Sequence, residues 1–127
     1  MTRFFFMKRH DRDIELIEVI LSDCETLRKR VMRFAMTEDK FVNDRSEDGE
    51  LAYDAIMSPV YRIAEDAIHL SSDVMDSVSD CPWDDIRGFR NFVARGYREV
   101  DRFIAWKVVD ESIPDLEKVL KAFLAVG

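Results

Sequence analysis

Residues 50–78 read ELAYDAIMSPVYRIAEDAIHLSSDVMDSV, and this stretch decides the fold class. Its apolar positions recur every three or four residues, which predicts a long amphipathic helix. Pro59 interrupts the pattern, because a proline inside a helix removes a hydrogen bond and clashes with the preceding turn. Either the helix kinks there or Ser58 caps a new helix, and the unbroken stripe favours the kink. The stripe consists of Ala52, Ile56, Val60, Ile63, Ala67, Leu70, Val74 and Val78.

The preceding segment, from about Asp11 to Met36, also predicts an amphipathic helix. Thr37 is placed to cap a short helical turn, which Phe41 and Val42 would hold against the core. Residues 43–50 (NDRSEDGE) read as a polar loop. The apolar stripe of the first helix, interrupted at Arg28, consists of Ile14, Ile17, Leu21, Cys24, Val31 and Ala35.

Start and stop signals predict three further helices. Ser112 and Asp115 resemble a capping box at the start of the last one. No stretch alternates with period two, so the chain is predicted to be all-α, an antiparallel bundle of four or five helices. We expect one domain over residues 1–127, with residues 1–8 as a candidate disordered extension. The three predicted helices run from Pro82 to Gly96, from Asp101 to about Asp110, and from Ser112 to Leu124.

Composition places the chain among ordinary globular proteins, with 47% hydrophobic residues and a formal net charge of −7 over 127 residues. The longest purely apolar run, residues 4–7, is too short for a signal sequence or a membrane span. Two cysteines in unlike contexts, Cys24 and Cys81, are expected to be free thiols, so we expect a cytoplasmic protein with no membrane partner. The Phe-rich beginning raises the hypothesis that Met7, rather than Met1, is the natural start.

Residues 86–98, IRGFRNFVARGYR, form the most distinctive stretch. On a helix, their basic residues fall within an arc of roughly 140°, opposite the apolar ones. The stretch carries +4, which leaves −11 on the rest of the chain. Such arginines either pair with acidic faces of neighbouring helices or bind an anion such as phosphate. The apolar side holds Ile86, Phe89, Phe92, Val93 and Tyr97; the basic side holds Arg87, Arg90, Asn91, Arg95 and Arg98.

This stretch closely resembles the HepT-like branch of the HEPN superfamily. The family pattern is arginine–asparagine, three residues, histidine, one residue and tyrosine, and it is matched at Arg90, Asn91 and Tyr97. Residues 54–72 (DAIMSPVYRIAEDAIHLSS) and 106–120 (WKVVDESIPDLEKVL) are similar to other parts of the family, with Glu65 at its usual acidic position. The resemblance extends from about residue 9 to residue 124.

The resemblance implies a homodimer whose motifs face a shared cleft. Many members are metal-independent endoribonucleases that act as toxins and need no cofactor. Their antitoxin is a minimal nucleotidyltransferase, MntA, which attaches AMP to the motif tyrosine, here Tyr97. In keeping with a metal-free site, no pair of histidines or cysteines has ligand spacing.

Arg95 stands where the family has its catalytic histidine. A histidine can take and return a proton near neutral pH, whereas an arginine stays protonated and cannot be the base. Arg95 can still bind phosphate or stabilise developing negative charge. Of the two histidines, His10 is expected to be solvated. His69 lies one turn after Glu65, a spacing at which the carboxylate could orient a base but which more often marks a surface or interface pair. Neither histidine is expected to replace the missing group.

Three hypotheses remain open at this point, and enzymatic activity is undecided among them. In the first, the chain is a toxin that cleaves RNA, and its catalytic motif is Arg90, Asn91, Arg95 and Tyr97. In the second, it is a non-catalytic HEPN protein that binds a nucleotidyltransferase, a nucleotide or RNA in the same cleft. In the third, it is a structural dimer whose arginines are paired internally. In the first two, phosphate is expected at Arg87, Arg90, Arg95 and Arg98, with Glu65 in support.

Overall fold

The computed structural model describes residues 9–96 and 100–126, and in these ranges it is helical with no β-strand. The all-α prediction is therefore confirmed. The prediction of a single domain over residues 1–127 remains a prediction, since residues 1–8 lie outside the described ranges. The helices are α1 (Arg9–Arg33), α2 (Glu38–Asn43), α3 (Glu47–Ala67), α4 (Ser72–Ser77), α5 (Trp83–Gly96), α6 (Arg102–Lys107) and α7 (Ile113–Val126).

The two longest helices, α1 and α3, run antiparallel and form the centre of the bundle. Contacts between them pair increasing numbers on one helix with decreasing numbers on the other. Asp13 of α1 binds Ser71 just beyond α3, Asp23 binds Arg62, and Arg30 donates to the carbonyl of Ala55. Helix α7 packs on α1, and α5 packs on α3. Helix α3 thus has α1 and α5 as its neighbours.

The apolar stripe of α3 is the core of the molecule. Every predicted stripe position is buried except Val78, which is partly exposed. Helix α3 continues through the buried Pro59, so the alternative of a new helix capped by Ser58 is wrong. The Ser58 hydroxyl accepts a hydrogen bond from Arg62 instead.

Helix α3 ends at Ala67, eleven residues before the predicted boundary at Val78. The buried carboxylate of Asp13 accepts hydrogen bonds from the backbone N–H and the hydroxyl of Ser71, at 3.0 and 2.5 Å. These bonds hold the chain in a turn, after which the short helix α4 begins. The apolar period alone does not reveal this break, because Leu70 and Val74 stay buried on both sides of it.

Helix α1 ends at Arg33, and the prediction that Ala35 lies on its apolar stripe is wrong. Ala35 is exposed and adopts a left-handed conformation with φ of 47°. The N–H of Met36 binds the carbonyl of Val31 at 2.9 Å, and the N–H of Ala35 binds that of Met32 at 3.0 Å. These two hydrogen bonds form a Schellman cap, whose left-handed position, here occupied by Ala35, is usually a glycine. The buried face of α1 is Ile17, Ile20, Cys24 and Leu27, of which Ile20 and Leu27 were missed.

Side-chain caps define several other helix starts. The predicted cap at Thr37 is confirmed, since Thr37 accepts from the N–H of Lys40. Asp101, the predicted start of the next helix, caps α6 by accepting from two of its N–H groups. The predicted loop over residues 43–50 is shorter than expected, because Ser46 caps α3 through the N–H of Gly49. The predicted capping box at Ser112 is wrong: a π-helical turn, Val108–Ser112, joins α6 directly to α7.

Both cysteines are free and buried, and burial raises the pKa of each thiol to about 12.

Within the described ranges, no helix combines the length and the apolarity that a membrane span requires.

Candidate active site

Helix α5 carries the described part of the basic stretch. Asp84 and Asp85 occupy its first turn, where carboxylates favour the positive end of a helix. The helix buries Ile86 and Phe89 against the core, as predicted. Phe92 differs from the prediction, because its side chain is 45% exposed rather than buried with the apolar side. The opposite face of α5 is thereby turned away from the core.

Among the described arginines of this face, Arg90 is the one that pairs with a carboxylate of a neighbouring helix. Its Nε donates to Oε1 of Glu65 on α3 at 2.9 Å, and a terminal nitrogen reaches Oε2 of the same carboxylate at 3.5 Å. The other terminal nitrogen donates to the side-chain oxygen of Asn91 at 3.3 Å. The structure thus joins the motif arginine and asparagine to the acidic residue predicted to support them.

Glu65 also binds His69, one helical turn further along α3 and just beyond its end. The distance from Glu65 Oε2 to His69 Nε2 is 3.0 Å. The hydrogen bonds from Arg90, and secondly from His69, hold the pKa of the Glu65 carboxyl below its ordinary value. Glu65 is therefore an ionised acceptor between a cation and an imidazole. We call these three residues the Arg90–Glu65–His69 cluster.

A groove of about 380 Å³ lies between α3 and α5 beside this cluster. Phe89 and Arg90 contribute to its α5 wall, and Tyr61, Arg62 and Asp66 to its α3 wall. Sequence reasoning missed these last three, although Tyr61 and Arg62 lie four and three positions from Glu65 and so on the same face of the helix. Arg62 is held by Asp23 at 3.1 Å. Burial, together with the charges of Asp23 and Glu65, raises the pKa of the Asp66 carboxyl.

The remaining arginines of the stretch differ from Arg90. Arg87 pairs with Asp84 on its own helix at 3.2 Å. Arg95 is exposed and makes no hydrogen bond or ion pair within residues 9–96 and 100–126. Tyr97 and Arg98 lie outside the described residues, so the predictions for them stay predictions. The alternative in which the arginines pair with acidic groups of neighbouring helices therefore holds for Arg90. It does not hold for Arg87 or Arg95.

An apolar surface adjoins the outer side of α5. Phe92, Phe103 and Ile104 are 45%, 60% and 52% exposed, and Phe92 and Ile104 border a groove of about 400 Å³ between α5 and α6.

In the part of the chain that the structure describes, no group of three or more histidines, cysteines or carboxylates is arranged to hold a metal ion.

The helical architecture and the groove beside a motif arginine fit the class of small helical ribonucleases. The family model described as "Ribonuclease HepT-like" matches residues 20–123, a span that includes both helices of the Arg90–Glu65–His69 cluster. The chain belongs to the HepT-like ribonuclease family. Membership in this family supports an RNase-type function.

Two curated relatives have names in agreement with this family. The chain is 30% identical over 108 residues to "Putative RNase TTE0752" of Caldanaerobacter subterraneus subsp. tengcongensis, covering 85% of this chain and 90% of the relative. It is 26% identical over 82 residues to "Putative RNase MJ1380" of Methanocaldococcus jannaschii, covering 65% and 74%. No solved structure is significantly similar to the chain.

Proposed function

We propose that this protein is the endoribonuclease toxin of a toxin–antitoxin pair and that it cleaves RNA beside α5. The observation that carries this proposal is the placement of Arg90, which Glu65 holds at the edge of the groove between α3 and α5. An arginine held in one orientation loses less entropy when it binds a phosphate than a freely rotating one.

Each motif residue has a role in this proposal. Arg90 grips the phosphate of the cleaved bond and stabilises the charge that develops on its oxygens. Arg95, exposed on the same helix, supplies a second cation to the strand. Asn91 lies against Arg90 and positions the sugar–phosphate backbone together with Tyr97. Arg87 and Arg98 extend the phosphate path at either end of the stretch.

A non-catalytic protein is the second candidate, and the identity of residue 95 favours it. Because an arginine cannot act as the general base, the motif lacks its usual acid–base group. The same groove would then bind RNA, a nucleotide or a nucleotidyltransferase without cleaving anything.

Cleavage of a pool of fluorescent single-stranded RNA oligonucleotides separates the two candidates. For a toxin, wild type cleaves the pool and Arg90→Ala cleaves it at least ~100-fold more slowly. Lys29→Ala, which removes an exposed charge from α1, serves as the matched control and cleaves like wild type. No cleavage by wild type, with a gain of cleavage in Arg95→His, would instead establish a lapsed active site.

The partners belong to the same proposal. The protein would form a homodimer, for which the exposed Phe92, Phe103 and Ile104 offer apolar surface. Its antitoxin would be an MntA-like minimal nucleotidyltransferase that attaches AMP to Tyr97 and so places a negative charge in the basic stretch. Mass spectrometry of the protein co-expressed with such an enzyme tests this; AMP found only on another residue would refute the assignment to Tyr97.

A further inference from the structure

His69 is joined to Arg90 through the carboxylate of Glu65. Cleavage through the ribose 2′-hydroxyl needs a group that accepts the hydroxyl proton near neutral pH, and histidine is the side chain best suited to it. Arg90 marks the phosphate position, and Glu65 joins Arg90 to His69 through bonds of 2.9 and 3.0 Å. The imidazole is 60% exposed, so a bound strand can reach it.

The Arg90–Glu65–His69 cluster also decides which imidazole nitrogen is free. Glu65 is an ionised carboxylate that receives hydrogen bonds from Arg90, and an ionised carboxylate only accepts. His69 Nε2 must therefore carry the proton that it donates to Glu65. In the neutral imidazole, Nδ1 then keeps its lone pair and is available to accept a proton.

We propose that His69 is the general base of this ribonuclease and takes the place of the histidine absent at residue 95. This inference rests on the proposed ribonuclease function. Glu65 orients the imidazole, as carboxylates orient catalytic histidines elsewhere. The same carboxylate fixes Arg90, so the base and the phosphate-binding cation share one anchor.

The chemical step follows from this arrangement. His69 Nδ1 takes the proton of the 2′-hydroxyl, and the 2′-oxygen forms a bond to phosphorus. The bond from phosphorus to the 5′-oxygen breaks, and the leaving oxygen keeps the electron pair and takes a proton from water. Arg90 balances the charge on the phosphate oxygens. The products are a 2′,3′-cyclic phosphate and a 5′-hydroxyl, and the imidazolium returns its proton to water.

The test compares His69→Ala with His10→Ala, which removes the other histidine of the chain. We expect His69→Ala to cleave single-stranded RNA at least ~100-fold more slowly than wild type, while its dissociation constant for a non-cleavable 2′-deoxy strand stays unchanged. Added imidazole should restore part of the lost rate, and His10→Ala should cleave like wild type. Mass spectrometry should find a 2′,3′-cyclic phosphate on the wild-type product.

Two failures are distinguishable. If wild type cleaves and His69→Ala cleaves within about threefold of it, the assignment of the base is wrong and the ribonuclease function stands. If wild type binds the strand without cleaving any RNA of the pool, the ribonuclease function is wrong, and the role of His69 falls with it. Loss of cleavage in His69→Ala together with loss of strand binding would show that the residue binds rather than catalyses, which also overturns the proposal.

Discussion

Arg102 is a single residue on which three helices depend. It is buried, stacks over the ring of Tyr53 at 3.6 Å, and donates to Glu50 at 2.7 Å and to the carbonyl of Phe41 at 3.4 Å. It thereby attaches α6 to both α2 and α3. Sequence reasoning gave Arg102 no role, because nothing in the local pattern distinguishes a cation that will be buried from a surface one.

Replacing Arg102 by alanine is expected to lower the free energy of unfolding by about 2–3 kcal/mol. The variant loses a desolvated cation–π contact and a partly buried ion pair. Urea denaturation followed by circular dichroism measures the change. Lys29→Ala is the control, because the exposed Lys29–Glu25 pair on α1 should contribute under about 0.5 kcal/mol. A similar small loss in both variants would contradict the structural role of Arg102.

Glu65 gives the molecule a pH dependence whose sign follows from its ion pair. Because the folded pKa is lowered, the stability that Glu65 contributes is present above the ordinary value of 4.5 and is lost as the pH falls through the folded pKa. The contribution is below about 1 kcal/mol, since the carboxylate is half exposed. Wild type should therefore exceed Glu65→Gln in stability at pH 7, and the difference should shrink as the pH falls below 4.5. Glu18→Gln, at an exposed carboxylate of α1, controls for the general loss of charge.

At the level of helices, the C-terminal cap of α1 is a feature that the sequence does not predict, because its left-handed residue is an alanine rather than a glycine. Ala35 adopts a left-handed conformation that costs roughly 1–2 kcal/mol for a residue with a Cβ atom. Glycine avoids this cost, so Ala35→Gly should raise the free energy of unfolding by about 0.5–1 kcal/mol. Ala122→Gly, in the exposed middle of α7, should lower it by about 1 kcal/mol. Equal destabilisation by both changes would show that Ala35 continues the helix.

The presence of the main helices was predictable from the sequence, whereas the residues at which several of them end were not. The stripe of α3 follows from apolar spacing, because one buried face imposes one period. The end of that helix depends instead on Asp13, which is 58 residues from the Ser71 that it binds. The junction of α6 and α7 is similar: Ser112 and Asp115 suggest a new start, but buried Val108, Val109 and Ile113 keep the chain helical through a π turn. Tertiary packing overrides local signals at both places.

The residues of the candidate active site were predictable from the sequence, but the shape of the groove beside them was not. Arg90 and Asn91 follow from the family motif, and Glu65 from its usual position, and the structure brings all three together. The pairing of His69 with Glu65 follows from their spacing of one helical turn, and the structure contains that hydrogen bond. The groove beside these residues depends instead on how α3 meets α5, which spacing along one helix does not predict.

Across the whole molecule, charge is divided so that any bound anion is directed to α5. The basic stretch at residues 86–98 carries +4 in a chain whose net charge is −7, so the remaining surface repels nucleic acid. Within the stretch, Glu65 and Asp84 already neutralise Arg90 and Arg87, whereas Arg95 has no partner in the described ranges. Among the described arginines of the stretch, Arg95 is therefore the one whose charge a phosphate would neutralise most fully.

This division predicts the salt dependence of RNA binding. Each phosphate neutralised on a single strand releases counterions and contributes about −0.7 to the slope of log K against log salt. Arg95→Ala should make the slope shallower by about 0.7, whereas Arg87→Ala should change it less, because Arg87 is paired with Asp84. Binding of a non-cleavable 2′-deoxy strand at several salt concentrations, measured by fluorescence anisotropy, gives the slopes. If Arg95→Ala and Lys29→Ala leave the same slope as wild type, RNA does not lie along α5, and the arginine face has another use.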